Sequence, residues 1–239
     1  EIPVMAIALD ATSSGTVTGT SPLTFNHTCT GSNLVLVVGV TIYASASPNC
    51  SGVTYNGVSM TLIGSKRSGT DKQTSLWYLL NPSTGTNQVS VSFSGTSKSC
   101  QAGAISLTGV DQSSQPDAQN GGSAGGTAPK TTVTTVADNC WLVGAITSTR
   151  EPTAALTSIF KSSIGGGFAW GGMEYTGPKT PAGDQDVGWT TPLNTTAYIQ
   201  PASFDPASSA TNVTVNAGVQ TATFSLPAAT VTAQRQATV

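Results

Sequence analysis

The segment Gln88-Val89-Ser90-Val91-Ser92-Phe93-Ser94 alternates polar and apolar residues without a break. In a strand this puts Val89, Val91 and Phe93 on one face and the serines on the other. Two further runs do not alternate. Leu34-Val35-Leu36-Val37-Val38 and Trp141-Leu142-Val143-Gly144-Ala145-Ile146 are continuously apolar, the pattern of central strands covered on both faces. Between Val53-Thr54-Tyr55 and Val58 stands Asn56-Gly57, the strongest short signal for a tight hairpin. Similar runs recur about every ten residues, separated by Gly, Ser, Asn and Pro, which predicts an all-β antiparallel sandwich or barrel. No long helical period and no internal repeat is evident.

Two stretches read as loops: the Gly/Ser/Gln-rich Asp111–Lys130, and Gly177–Asp184 between two aromatic-bearing strands. After Pro206 the chain becomes rich in Thr, Ala and Val, with strand signals at Asn212–Val215 and Thr221–Leu226. The expected organisation is a sandwich domain over residues 1–206 and a strand-forming C-terminal extension over residues 207–239.

Composition narrows the function classes. Of 239 residues only 8% are charged, the net charge is −2, and Ser and Thr exceed a quarter of the chain. Without a basic face the chain is not expected to bind nucleic acid. The longest apolar run, Asn33–Ile42, is about half of what a membrane-spanning helix needs, and the start EIPVMAIALD carries no basic segment of an intact secretory signal. Low charge with many β-branched residues suits an extracellular, cell-surface or virion protein.

Several segments together resemble a lectin-like, jelly-roll β-sandwich domain of phage structural proteins and bacterial surface proteins. They are His27–Val40 (HTCTGSNLVLVVGV), Val53–Val58 (VTYNGV), Leu76–Pro82 (LWYLLNP), Ser106–Gln112 (SLTGVDQ) and the closing Ala197–Phe204 (AYIQPASF). The likeness spans roughly residues 5 to 206 and rests on strand and turn patterns. It implies a jelly-roll fold in a structural or surface-display setting, and it transfers no catalytic residue.

Candidate chemistry is sparse. A Ser-His-Asp triad would have to use His27, the single histidine, which reads better as a hydrogen-bonded strand residue. A glycosidase needs two carboxylates flanking a sugar, and the available set is Glu174 with Asp184 or Asp186. The same two aspartates are the candidate oxygen ligands for calcium, although no metal or cofactor is expected. Trp170 and Trp189 flank Gly-rich segments and are the candidates for stacking on a glycan. Cys50 and Cys100, both read as lying in polar loops, are expected to form a disulfide, with Cys29 and Cys140 as a second pair or as buried thiols. Asn26, Asn49, Asn194 and Asn212 begin N-x-Ser/Thr sequons.

Both ends are β-prone: Ile2–Leu9 at the start, and Ala222–Leu226 with Ala229–Thr232 at the finish. Such segments can complete a neighbour's sheet. The sequence therefore points first to a non-enzymatic structural subunit linked to its copies through terminal strands. A carbohydrate-binding adhesion module comes second and a glycoside hydrolase third.

Overall fold

The computed structural model describes residues 5–96, 98–208, 211–217 and 220–226, and no helix occurs among them. The first half of the chain forms β1 (Ala8–Thr18), β2 (Leu23–Cys29), β3 (Val35–Tyr43), β4 (Ala46–Tyr55), β5 (Val58–Ser59), β6 (Thr61–Arg67), β7 (Lys72–Leu80), β8 (Gly85–Thr96) and β9 (Ser99–Thr108). The second half forms β10 (Ala118–Gln119), β11 (Gly122–Gly126), β12 (Lys130–Thr134), β13 (Cys140–Ser148), β14 (Thr153–Ala154), β15 (Thr157–Ile164), β16 (Ala169–Lys179), β17 (Asp184–Thr190) and β18 (Thr195–Phe204). A separate pair, β19 (Thr211–Ala217) and β20 (Gln220–Leu226), follows.

The strands stack in four layers. An outer sheet β2-β8-β4-β5 covers the sheet β1-β9-β3-β7-β6; next comes β10-β18-β13-β16-β15, with β11 also on β18, and then the outer β12-β17-β14. Three cores fill the spaces between them. Leu36, Val38, Val40 and Ile42 of β3 face the first, with Tyr55, Val89, Val91 and Phe93. Val35 and Val37 face the second, opposite Trp141, Val143, Ala145 and Met173. Leu142 and Ile146 face the third, under Val187 and Trp189. The continuous apolar runs of β3 and β13 are thus explained: each strand lies mid-sheet with a core on both faces. The alternation of β8 also holds, because among the described residues no further layer covers its outer face. Asn56 and Gly57 both take positive φ, 49° and 77°, the twist that joins β4 to β5 in two residues.

The strand order repeats, although residue periodicity does not show it. Replacing β1, β2, β3, β4, β6, β7, β8 and β9 by β10/β11, β12, β13, β14, β15, β16, β17 and β18 converts the first pair of sheets into the second, and among the described residues β5 alone has no counterpart. Asn33 before β3 and Asn139 before β13 both adopt positive φ. Gly39 pairs with Leu76 and Gly103, and its counterpart Ala145 pairs with Met173 and Gln200. Leu76 in turn pairs with Gly64, and Met173 with Phe160.

These matched positions meet across the second core. A Cβ on Gly39 would lie 3.1 Å from the Cβ of Ala145, its own counterpart. A Cβ on Gly103 would lie 2.5 Å from Phe160, and one on Gly64 would lie 2.6 Å from Gln200. Position and counterpart exchange roles, as at a two-fold interface where residue i meets j and j meets i. On each side a large side chain fills the room left by a glycine on the other.

Two expectations change. Asp111–Lys130 is not a plain loop, because Ala118–Gln119 and Gly122–Gly126 add to β18. Backbone pairing needs no apolar pattern, so Gly-rich sequence conceals it. Cys50 and Cys100 lie inside β4 and β9 rather than in loops. In the tail, strands form near the expected positions. Glu1–Val4 and Ala229–Thr232 of the β-prone ends lie outside the described residues. Among the described residues no helix is long and apolar enough to cross a membrane.

Candidate functional site

Asp10 is the extra residue of a bulge in β1, where the register with β9 slips between Leu9 and Ala11. A bulge re-aims the side chain it carries. The Asp10 carboxylate accepts the Ser106 hydroxyl at 2.6 Å and the Thr30 N–H at 2.9 Å. Ser106 Oγ is 3.0 Å from His27 Nε2, and His27 Nδ1 is 2.8 Å from Ser13 Oγ. With the Ser106 proton committed to Asp10, Nε2–H donates to Ser106 and Nδ1 accepts from Ser13. Burial drops the His27 imidazole to about 4, against the pull of Asp10. Burial alone would raise Asp10, yet the hydrogen bonds from Ser106 and Thr30 hold it below its ordinary value.

The sequence singles out His27 but not Asp10, Ser13 or Ser106, whose only signal is a bulge invisible before pairing is known. The order Ser13, His27, Ser106, Asp10 resembles a proton relay, but Ser13 is half-buried and turned to His27 on β2, and His27 is buried. Every polar group in the chain of contacts is satisfied internally. It fastens the edge strands β1 and β2 of two facing sheets to each other.

Glu174, on β16, is fully buried beneath β17. Its Oε1 accepts the Gly188 N–H and its Oε2 the Leu156 N–H, both at 3.1 Å. Burial pushes the carboxyl up to about 7, with these backbone donors opposing the rise. Asp184 and Asp186 stand on the opposite, outer face of β17. There Asp184 accepts from Thr134, and Asp186 from Thr132 and from Lys130 at 2.5 Å. Glu174 and the two aspartates are therefore separated by the β17 backbone and do not face a common space. No group of three or more His, Cys, Asp or Glu side chains that could hold a metal occurs among the described residues.

The remaining candidates scatter. Trp189 is packed in the third core at 3% exposure, and Trp170 is half-buried at the start of β16. All four cysteines are free and buried, so the expected Cys50–Cys100 disulfide is not formed, nor is the second pair Cys29–Cys140. Cys50 and Cys100 fill the first core from facing sheets, and burial pushes the Cys50 thiol up to about 11. Of the sequon asparagines, Asn26 and Asn194 are exposed, Asn49 accepts from Arg67 at 2.6 Å, and the side chain of Asn212 lies outside the described residues. Aromatic pairing arises where the sequence gives no sign of it: Phe168, 71% exposed, stacks on Tyr43 at 6.0 Å.

The two ends of the four-layer body meet. Met5 N–H donates to Ala207 C=O at 2.7 Å, Ala207 N–H to Gly109 C=O at 2.8 Å, and Val110 bridges to Pro206. Beyond this point β19 and β20 pair from Thr211↔Leu226 to Ala217↔Gln220. Among the described residues they pair with no other strand. Their register sets Val213 opposite Phe224 and Val215 opposite Ala222, and between these Asn212 opposite Ser225, Thr214 opposite Thr223 and Asn216 opposite Thr221, so apolar and polar pairs alternate along the ribbon, with the mixed pairs Thr211↔Leu226 and Ala217↔Gln220 at its ends. Neither a protein-family model, nor a curated protein, nor a solved structure matches this chain.

Proposed function

We propose that this chain is a non-enzymatic structural subunit of an extracellular or virion assembly, joined to its copies through terminal strands. The observation that carries this reading is the β19–β20 ribbon. Its register alternates apolar pairs with polar ones, and it has no partner sheet among the described residues. A lone two-stranded ribbon is at best marginally stable in water, so a ribbon of this pattern calls for a surface on which to bury its apolar pairs. The body supports the same reading: its polar clusters at His27 and Glu174 are spent on tying strands together.

Electron microscopy and sedimentation velocity of the full chain test it. Filaments, shells or defined oligomers that disappear when residues 209–239 are deleted are the expected result. A full chain that stays monomeric at every concentration overturns it.

A carbohydrate-binding module is the second reading, favoured by the exposed ring of Phe168 backed by Tyr43. Saturable binding on a glycan array that is lost in Phe168→Ala and Trp170→Ala would favour it.

A further inference from the structure

The internal repeat leaves one place unfilled. In the first sandwich the β4–β5 hairpin lies along β8, pairing from Ala46↔Thr96 to Tyr55↔Val89. On β17, the counterpart of β8, that place holds, among the described residues, only Thr153↔Thr190 and Ala154↔Trp189 of β14, with no second strand beyond it. The cores differ accordingly. Eighteen buried residues form the first, including Val53, Tyr55 and Met60 from the hairpin region, whereas seven form the third. At its open side the third core ends in the half-buried Ala154 and Leu156.

The backbone of β17 is available there. Trp189 and Thr191 send their N–H groups to Pro129 and Thr127 on the β12 side, so Gly188, Asp186 and Asp184 turn theirs to the opposite edge. Glu174 takes the Gly188 N–H. For Asp184 and Asp186 no strand among the described residues lies on that edge. A depression lined by Lys130 and Ala128 on the β12 side and by Ala155 on the other crosses β17 at Asp186, Gly188 and Trp189.

We propose that the β17 edge at Asp184–Asp186 receives the β19–β20 ribbon of a second copy of this chain, in the place that β4–β5 fills on β8. This rests on the assembly reading above. Among the described residues the body has no hairpin at one position of the repeat, and the β19–β20 hairpin pairs with no sheet. Strand addition supplies main-chain hydrogen bonds, and the ribbon's alternation sets which face turns inward. Val213 and Val215, or Phe224 and Ala222, then lie over the open side of the third core. Because donor and acceptor are different surfaces, the contact is head-to-tail and propagates into a ring or a filament.

Two full-length variants test this. Asp186→Pro removes the edge N–H and leaves the ribbon intact. Val213→Asp with Val215→Asp puts charges at two apolar register positions of the ribbon and leaves the edge intact. Each alone is expected to lose assembly by sedimentation velocity, and an equimolar mixture is expected to stop at one-to-one dimers. If Asp186→Pro assembles like the native chain while the ribbon variant does not, the edge assignment falls and the assembly reading stands. If the native chain never assembles, both fall.

A tether decides the matter should Asp186→Pro unfold. Asp184→Cys with Thr214→Cys, oxidised after assembly, is expected to give a ladder of covalent multimers on a non-reducing gel. Bonds formed only within single chains, or no bond in assembled material, overturn the proposal.

Discussion

The ring of Phe160 on β15 lies over the bare Cα of Gly103 on β9, so close that a Cβ there would come within 2.5 Å of it. Gly64 and Gln200 repeat the relationship with the roles exchanged. The joint between the two large sheets is therefore keyed by size as well as by hydrophobicity.

Gly103→Ala forces a methyl group against Phe160 and is expected to destabilise the chain by about 1–3 kcal/mol, as overpacking does. In a Phe160→Ala background only Met173 Sδ, 3.1 Å from the added methyl, remains close, and the cost should fall markedly. Urea denaturation of the four chains in this cycle measures the coupling. Equal costs in both backgrounds would show that the ring is not what excludes the methyl.

His27 sits in the fold with its imidazole lowered from 6.5 to about 4. Between those values the unfolded chain binds the proton first, so this group's contribution is intact above pH 6.5 and is lost as pH falls toward 4. At about 1.4 kcal/mol per unit, the stability of the native chain relative to His27→Gln should drop by about 3 kcal/mol over that interval. Chemical denaturation at a series of pH values tests this, and parallel curves would contradict it.

Glu174 acts in the opposite direction. Its carboxyl is raised from 4.5 to about 7, so the unfolded chain releases its proton first and stability falls as pH rises through this window. Relative to Glu174→Gln, the native chain should lose about 3 kcal/mol between pH 4.5 and 7. Since the two slopes oppose each other from pH 4.5 to 6.5, each is best seen as a difference from its own variant. A Glu174→Gln difference that does not move with pH would mean that the carboxyl is ionised in the fold.

The four thiols are buried and free, and burial raises Cys50, Cys100 and Cys140 well above the ordinary thiol range. Since the thiolate is the reactive form, native protein should react negligibly with a thiol reagent over minutes and yield four equivalents once unfolded in urea. Two equivalents or none after unfolding without reductant would reveal disulfides.

The lines of sequence that worked are those whose cause is local. Val89, Val91 and Phe93 alternate because a strand with one wet face must alternate, and Asn56-Gly57 turns because few other residues accept two successive positive φ angles. Leu34–Val38 and Trp141–Ile146 are continuously apolar because two cores flank them, and burial on both faces is written into composition alone. The ribbon strands near Asn212–Val215 and Thr221–Leu226 were legible for the same local reason.

Tertiary structure decided everything that depends on which strand meets which. Asp10 reaches Ser106 across 96 positions because a bulge aims it there, and Glu174 separates from Asp186 because β17 passes between them. Cys50 and Cys100 read as loop residues in a line of polar letters, yet strand pairing turned their side chains into a core. The repeated strand order left only a faint trace in residue identity: Asn33 and Asn139 agree, as do Leu36-Val37 and Leu142-Val143, but Gly103 and Gln200, or Gly64 and Phe160, occupy matched positions with different letters. Local alternation sets the face of a strand, whereas partner, register and size-matching follow from contacts between distant segments, which no window along the chain contains.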